Sequence, residues 1–299
     1  MNSQEIQDPD NTPNDRASAG GVVAPEAAKP FSARNVTIFS VLVIAMSASL
    51  ARFVARPPDL LTMALPTIAA VLMLVVLSRE GYSKDGWTGL GLHRSGAKYW
   101  PVAIFGPLLV GAFAVTATVV IGQASLTWPD EFRGANGLKL VGVGLAFALV
   151  TSLAEEIGWR GYLLPRLMPL GETPALVISG LVWATWHVPF ILWMGYHSDG
   201  NLLLVLPLFY GTIVAAAFFF GYMRLYSGSV WPAAIGHGMH NFSWGVLSML
   251  TVSSNPVVVE EYLGGDNGIF ILAATIVLLM WARRHYGWGQ ARTSPLAAL

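Results

Sequence analysis

The chain has no cysteine among its 299 residues. That excludes disulfides, thiolate metal ligands and cysteine nucleophiles together, and it leaves the compartment open. Charge is also scarce. Only 11% of residues are Asp, Glu, Lys or Arg, where a soluble domain carries roughly a quarter, so lipid is the expected solvent. The 17 basic and 17 acidic residues cancel, which leaves no net field to recruit nucleic acid. Near the first residue there is no apolar stretch of the kind a secretory signal uses. Residues 1–33 are polar and rich in Asn, Asp, Ala and Pro, and they are expected to form a disordered tail because they have too little apolar surface to offset the entropy of ordering. Internal repeats, heptad arrays and a Walker-type glycine loop are missing as well.

What is abundant is apolar sequence, 54% of the chain. A helix that crosses a bilayer needs about 20 mostly apolar residues at about 1.5 Å rise each. Eight stretches approach this, roughly Val36–Val54, Leu60–Leu77, Tyr99–Ile121, Leu138–Leu153, Ala175–Met194, Leu202–Met223, Val230–Val252 and Ile269–Trp281. The expected fold class is therefore all-α, a polytopic membrane helical bundle of about eight transmembrane helices, with a core domain over residues 34–285 and a short C-terminal tail over 286–299. With eight spans, Arg34, Arg79, Lys84, Arg94, Lys98, Arg160, Arg166, Arg224, Arg283 and Arg284 fall on the side of both termini, and only Arg52, Arg56, Arg133 and Lys139 fall on the other. The positive-inside rule then places both termini in the cytoplasm of a multi-pass protein of the cell membrane.

Ionisable side chains within a membrane cost roughly 2.5–3.5 kcal/mol each on insertion scales, and so they point to function. Here they gather in three places. The fourth stretch ends in Glu155-Glu156-Ile157-Gly158-Trp159-Arg160-Gly161. Glu156 and Arg160 are four apart with the acid N-terminal, the better order for pairing on a helix. Glu155 is rotated by about 100° and is left free to act as a base. The plain alternative is a charged membrane-exit motif whose side chains snorkel at the interface. The fifth stretch holds His187 deep in an apolar run, with Trp183 one turn before it on the same face. A satisfied core histidine is the alternative there. The seventh holds His237-Gly238-Met239-His240-Asn241, with His237 and Asn241 on one face and His240 beside them. Interhelical hydrogen bonding would also account for these. No other intramembrane stretch presents a carboxylate or an imidazole.

The three motifs, Glu-Glu-x-x-x-Arg at 155–160, aromatic-x-x-x-His at 183–187 and His-x-x-x-Asn at 237–241, resemble the signatures of the CPBP family. These are the CAAX proteases and bacteriocin-processing intramembrane proteases, related to the Ras-converting prenyl-protein endopeptidases. Ser229-Val230-Trp231-Pro232 and Leu90-Gly91-Leu92 add to the likeness, which spans roughly Val36 to Ala282. Trp183 stands where the family usually has Phe. The resemblance implies an intramembrane endopeptidase in which Glu155 is the general base, His187 helps hold the attacking water, and His237 and Asn241 donate to the oxyanion. Glu156, Arg160, His240 and Trp183 would support that site. The partners it implies are the bilayer and a protein or peptide substrate, lipid-modified and membrane-embedded ones included, with no nucleic acid.

The resemblance implies no cofactor. Zinc held by Glu155, His187, His237 and His240 is the runner-up, although a His-Glu-x-x-His helix is lacking. A non-catalytic immunity or adaptor protein of the same fold, and less readily a small-molecule transporter, are the competing classes. Transporters often show inverted repeats or paired broken helices, and the sequence has neither. A cavity opening toward the cytoplasm is expected from the depth of Glu155 and His237 along their helices.

Overall fold

The computed structural model describes residues 32–289 apart from residue 198. Most of the expected N-terminal tail and residues 290–299 of the expected C-terminal tail lie outside the described residues. Among the described residues eight helices have 14 or more residues. They are α1 (Ala33–Phe53), α2 (Asp59–Leu72), α3 (Trp100–Val120), α4 (Gly134–Glu156), α5 (Glu172–Met194), α6 (Leu202–Ser227), α7 (Trp231–Met249) and α8 (Ile269–Tyr286). The protein is thus an all-α polytopic bundle, the expected class.

Local chemistry sets the helix ends. Ser32 caps α1 by accepting from the Asn35 N–H, and Asn201 caps α6 by accepting from Leu203, each satisfying a donor that the helix itself cannot. Gly195, Gly228 and Gly287 end α5, α6 and α8 in the left-handed region, where a residue without Cβ carries no penalty.

Among the described residues seven helical segments are long and apolar enough to cross a membrane. The exception among the eight is α7, which is long enough at 19 residues but carries His237, His240 and Asn241 in its first three turns. Its neighbours make up for this, since α7 packs against α3, α4 and α6 and so has protein on several sides. The outer surface of the bundle is apolar. Leu109 is 67% exposed and Leu203 83%, as a lipid-facing surface requires.

Consecutive helices run in alternating directions. At one end the α2–α3 connection meets the C-terminal end of α6, where Arg224 reaches the Gly89 carbonyl at 2.8 Å and Ser229 Oγ reaches that of Arg94 at 2.6 Å. This end also carries the first turn of α1 and the last of α8. There Trp288 is buried against Tyr222 and Tyr286, so packing continues past the expected domain boundary at 285. At the opposite end two residues after α3, Ser125–Leu126, pair antiparallel with Thr251–Val252 after α7, Ser125 opposite Val252. The α5–α6 and α7–α8 connections meet at that end too.

The fourth span is longer than expected. Helical structure runs from Gly134 to Leu170, because α4 does not stop at its charges but widens into a π-helix over Ile157–Leu163. Gly158 permits this against α2, since a Cβ there would lie 2.4 Å from Pro66 Cβ.

Candidate active site

The two carboxylates that end α4 are fully buried, with Glu155 1% and Glu156 0% exposed. A buried charge has to be paired and hydrogen-bonded, and the two acids solve this differently. Glu156 Oε1 accepts from Arg160 Nη1 at 2.7 Å and from His237 Nδ1 at 3.0 Å. Glu155 Oε2 accepts from two indoles, Trp159 Nε1 at 3.1 Å and Trp183 Nε1 at 3.0 Å. The expected division, Glu156 engaged with Arg160 and Glu155 apart from it, is the geometry observed. The two indole bonds to Glu155 were not expected.

Arg160 is held by stacking as well as by charge. Its guanidinium carbon lies 4.3 Å from the Trp183 ring centroid and 5.4 Å from that of Phe220, within cation–π range. The backbone here is braced by a second arginine. In the π-helix the Leu164 N–H reaches back to the Trp159 carbonyl, and the next donor in that pattern would be residue 165. That residue is Pro165, which has no N–H. Arg224 Nε supplies the missing bond, reaching the Arg160 carbonyl at 3.0 Å. On the other side, Thr67 Oγ1 of α2 donates to the Ala154 carbonyl.

Helix α7 approaches α4 closely because Gly238 sits at the contact, where a Cβ would lie 3.0 Å from Leu149 Cα. This brings His237 to Glu156 and lets Asn241 Nδ2 donate to Ser152 Oγ at 3.3 Å. His237 is sandwiched by aromatic rings, stacked on Phe220 at 5.6 Å and edge-on to Trp183 at 5.2 Å. On α5, the His187 Nδ1 lies 2.9 Å from the Trp183 carbonyl. A carbonyl only accepts, so Nδ1 carries the proton and Nε2 of the neutral ring keeps its lone pair.

Glu155, His187, His237, His240 and Asn241 line one cavity. Its volume is about 70 Å³, room for several waters on a scale where one needs roughly 10–15 Å³. Pro107, Ile213, Ala216, Phe219 and Leu278 give it an apolar wall. It does not follow the expected course toward the termini. In that direction lie Trp159 and Arg160, both fully buried. The cavity instead reaches the opposite end, where Tyr196, Asp266 and Asn267 also line it. The connections that supply those three are distant in sequence and meet only in the fold, so helix depth alone could not show this.

At that far end His197 joins the two connections. Its Nε2 lies 3.0 Å from Asp266 Oδ1 and its Nδ1 3.6 Å from Glu261 Oε2. Burial pulls the His197 pKa down, but the two carboxylates more than offset this and place it at about 8. Burial pushes Asp266 up, and His197 outweighs that to leave it below its ordinary value. Among the described residues no three His, Cys, Asp or Glu side chains are placed to hold one metal ion.

Three contributors were missed in the sequence. Trp159 follows Glu155 by four residues and Ser152 precedes Glu156 by four, so the spacing that paired Glu156 with Arg160 also marked them. Asp266 had no such signal.

Residues 137–243 match the family described as type II CAAX prenyl endopeptidase, Rce1-like. The match covers about a third of the chain. It takes in nearly all of α4, then α5, α6 and two-thirds of α7, and with them every motif residue from Glu155 to Asn241. The family lies within the CPBP group to which the three motifs pointed. No curated protein matches the chain. The seven membrane-length helices among the described residues mark a multi-pass membrane protein, and its segment 137–243 is similar to the CAAX-type intramembrane proteases.

Proposed function

We propose that this protein hydrolyses a peptide bond of a membrane-associated protein or peptide, with Glu155 and His187 activating a water. The observation that carries the reading is the convergence of Glu155, His187, His237 and Asn241, from three helices of the matched segment, on one cavity.

The hydrogen bonds already made leave the right valences. Glu155 Oε2 is occupied by two indole N–H groups, so Oε1 remains to accept from water. His187 keeps a lone pair on Nε2. A water that donates one hydrogen to each turns its own lone pair toward a scissile carbonyl. Glu155 takes the proton as the water attacks, and the proton passes on to the leaving amine, a role in which a positioned acid–base group contributes about 10²–10⁴-fold.

The oxyanion falls to Asn241 and His237. One Nδ2 hydrogen of Asn241 is held by Ser152 and the other is free to donate. His237 donates from Nδ1 to Glu156, so donation from Nε2 as well requires the imidazolium. That ring shares the Glu156 carboxylate, at 3.0 Å, with Arg160 at 2.7 Å. Such donors, fixed in a site shielded from water, stabilise developing charge without reorganising. The apolar wall of the cavity suits a hydrophobic segment or lipid group on the substrate. The excess of Lys and Arg at the end bearing the termini supports a cytoplasmic location for both.

The test uses the purified protein in lipid nanodiscs with two fluorogenic peptides, a farnesylated Cys-aliphatic-aliphatic-X peptide and its unprenylated counterpart. Cleavage by wild type, at a rate about 10²–10⁴-fold above that of Glu155→Gln, is the expected result. Equal cleavage by Glu155→Gln removes Glu155 from the mechanism. Loss of cleavage on chelation, restored by Zn²⁺, replaces the glutamate mechanism with the zinc one.

A further inference from the structure

Trp183 touches both halves of the water site by different atoms. Its indole N–H meets Glu155 Oε2 at 3.0 Å and its backbone carbonyl lies 2.9 Å from His187 Nδ1. Its ring lies under the Arg160 guanidinium at 4.3 Å and against His237 at 5.2 Å. The side chain is buried at 3% exposure, so solvent does not substitute for it.

We propose that Trp183 is a positioning residue for the catalytic base, its indole N–H fixing the rotation of the Glu155 carboxylate so that Oε1 faces the cavity. This rests on the peptidase reading above.

The argument is one of valence and geometry. A carboxylate with one oxygen tied by a single donor can still swing about its last torsion, which has a broad, soft profile. Here Trp159 and Trp183 donate to the same oxygen from different helices, Trp159 from the π-helix and Trp183 from α5. Two donors in different directions hold the carboxylate plane, and both leave Oε1 clear. Hydrogen bonds to a charged acceptor are the strong class, and in a buried site they are not exchanged for water. The helix that fixes Glu155 through its side chain also fixes the His187 tautomer through its carbonyl, one turn apart. Base and imidazole are therefore registered to each other by a single residue.

A ring alone does not do this. Phenylalanine at 183 would keep an aromatic face for Arg160, His237 and Phe220, and would keep the backbone carbonyl for His187. It would lose the N–H together with about three heavy atoms of the indole. Trp183→Phe thus removes the donor and keeps the aromatic face, and the band position of Glu155 tells loss of the donor from loss of packing.

The experiment has two arms. In the first, infrared difference spectra of the purified protein in detergent follow the carboxylate stretching band of Glu155, assigned by its absence from Glu155→Gln. Trp183→Phe is expected to move that band, and Trp193→Phe, at a half-exposed outer position, to leave it in place. In the second arm, cleavage of the farnesylated fluorogenic peptide is expected to show kcat lowered roughly ten- to a hundredfold in Trp183→Phe, with KM within about twofold. An unmoved band overturns the proposal even if kcat falls, because the effect is then one of packing. A moved band with unchanged kcat also overturns it, because the orientation then has no catalytic consequence. If wild type cleaves neither peptide the peptidase reading fails, and the band alone decides whether Trp183 holds Glu155.

Discussion

Glu156 Oε1 and Arg160 Nη1 lie 2.7 Å apart on adjacent turns, with neither side chain more than 1% exposed. The same oxygen receives His237, so this ion pair ties α4 to α7 and also lies directly beneath the candidate site. Removing one partner of a buried pair leaves an uncompensated charge, which typically costs about 3–5 kcal/mol. Arg160→Ala is therefore expected to be strongly destabilised, with a large drop in thermal midpoint in detergent. A midpoint equal to wild type would show that the pair is not holding the fold.

Glu155→Gln should behave in the opposite way. Gln is nearly isosteric and its carbonyl oxygen can still accept from both indoles, so the thermal midpoint should stay close to that of wild type. Peptide cleavage should fall by about 10²–10⁴-fold, the usual contribution of general acid–base groups. Loss of folding and activity together would mean that the acid is structural.

Gly158 carries a packing prediction. Its missing Cβ is what lets the π-helix lie on α2, with Pro66 Cβ at 2.4 Å from where a methyl would sit. Gly158→Ala should cost about 1–3 kcal/mol through overpacking. Gly142, on the same long helix, has nothing within 4 Å of an added Cβ, and Gly142→Ala should be neutral or slightly stabilising because alanine favours the helix. Thermal unfolding of the two variants side by side checks the contrast.

The contact between His197 and the carboxylates of Asp266 and Glu261 makes the far-end connections pH-sensitive. The folded pKa of His197, about 8, lies above its ordinary 6.5. Its contribution is thus fully present below about 6.5 and lost as the pH rises through 8. A shift of this size corresponds to about 2 kcal/mol. Asp266, depressed in the fold, contributes above its ordinary value of 3.8 and loses that as the solution becomes more acid. Glu261, raised mainly by burial, opposes the others wherever it must ionise. Amide exchange in the α5–α6 connection should be slowest between about pH 4 and 6.5, after correction for intrinsic rates, and should speed up above pH 8. His197→Gln should flatten the alkaline rise.

Much of this was legible in the sequence, for identifiable reasons. Long apolar runs have few alternatives in a bilayer, so the helices lay where hydropathy put them. The four-residue spacing of Glu156 and Arg160 survived into their ion pair. It would equally have found Trp159 for Glu155, because the first helical turn past the carboxylates keeps its i, i+4 contacts as the helix begins to widen. The widening itself left no periodic trace, since seven residues are too few to tell 3.6 per turn from a larger value. The bond from Arg224 to the Arg160 carbonyl was hidden too, although Pro165 had announced that a donor was missing. The far end of the cavity was the least legible part. Tyr196 and Asp266 lie 70 residues apart in connections without regular pattern, and only the packing of α5, α6 and α8 brings them together.

The π-helix at Ile157–Leu163 also bears on how this chain can vary. A π turn holds about one residue more than the α turn it replaces. Deleting a single residue there would restore ordinary pitch and keep the helix unbroken. The turns beyond would keep their phase, so Arg166 would still meet Glu80, its partner at 2.6 Å. The extra residue thus shapes only the widened turns that carry Trp159 and Arg160 beside the carboxylates, and leaves the course of the helix unchanged.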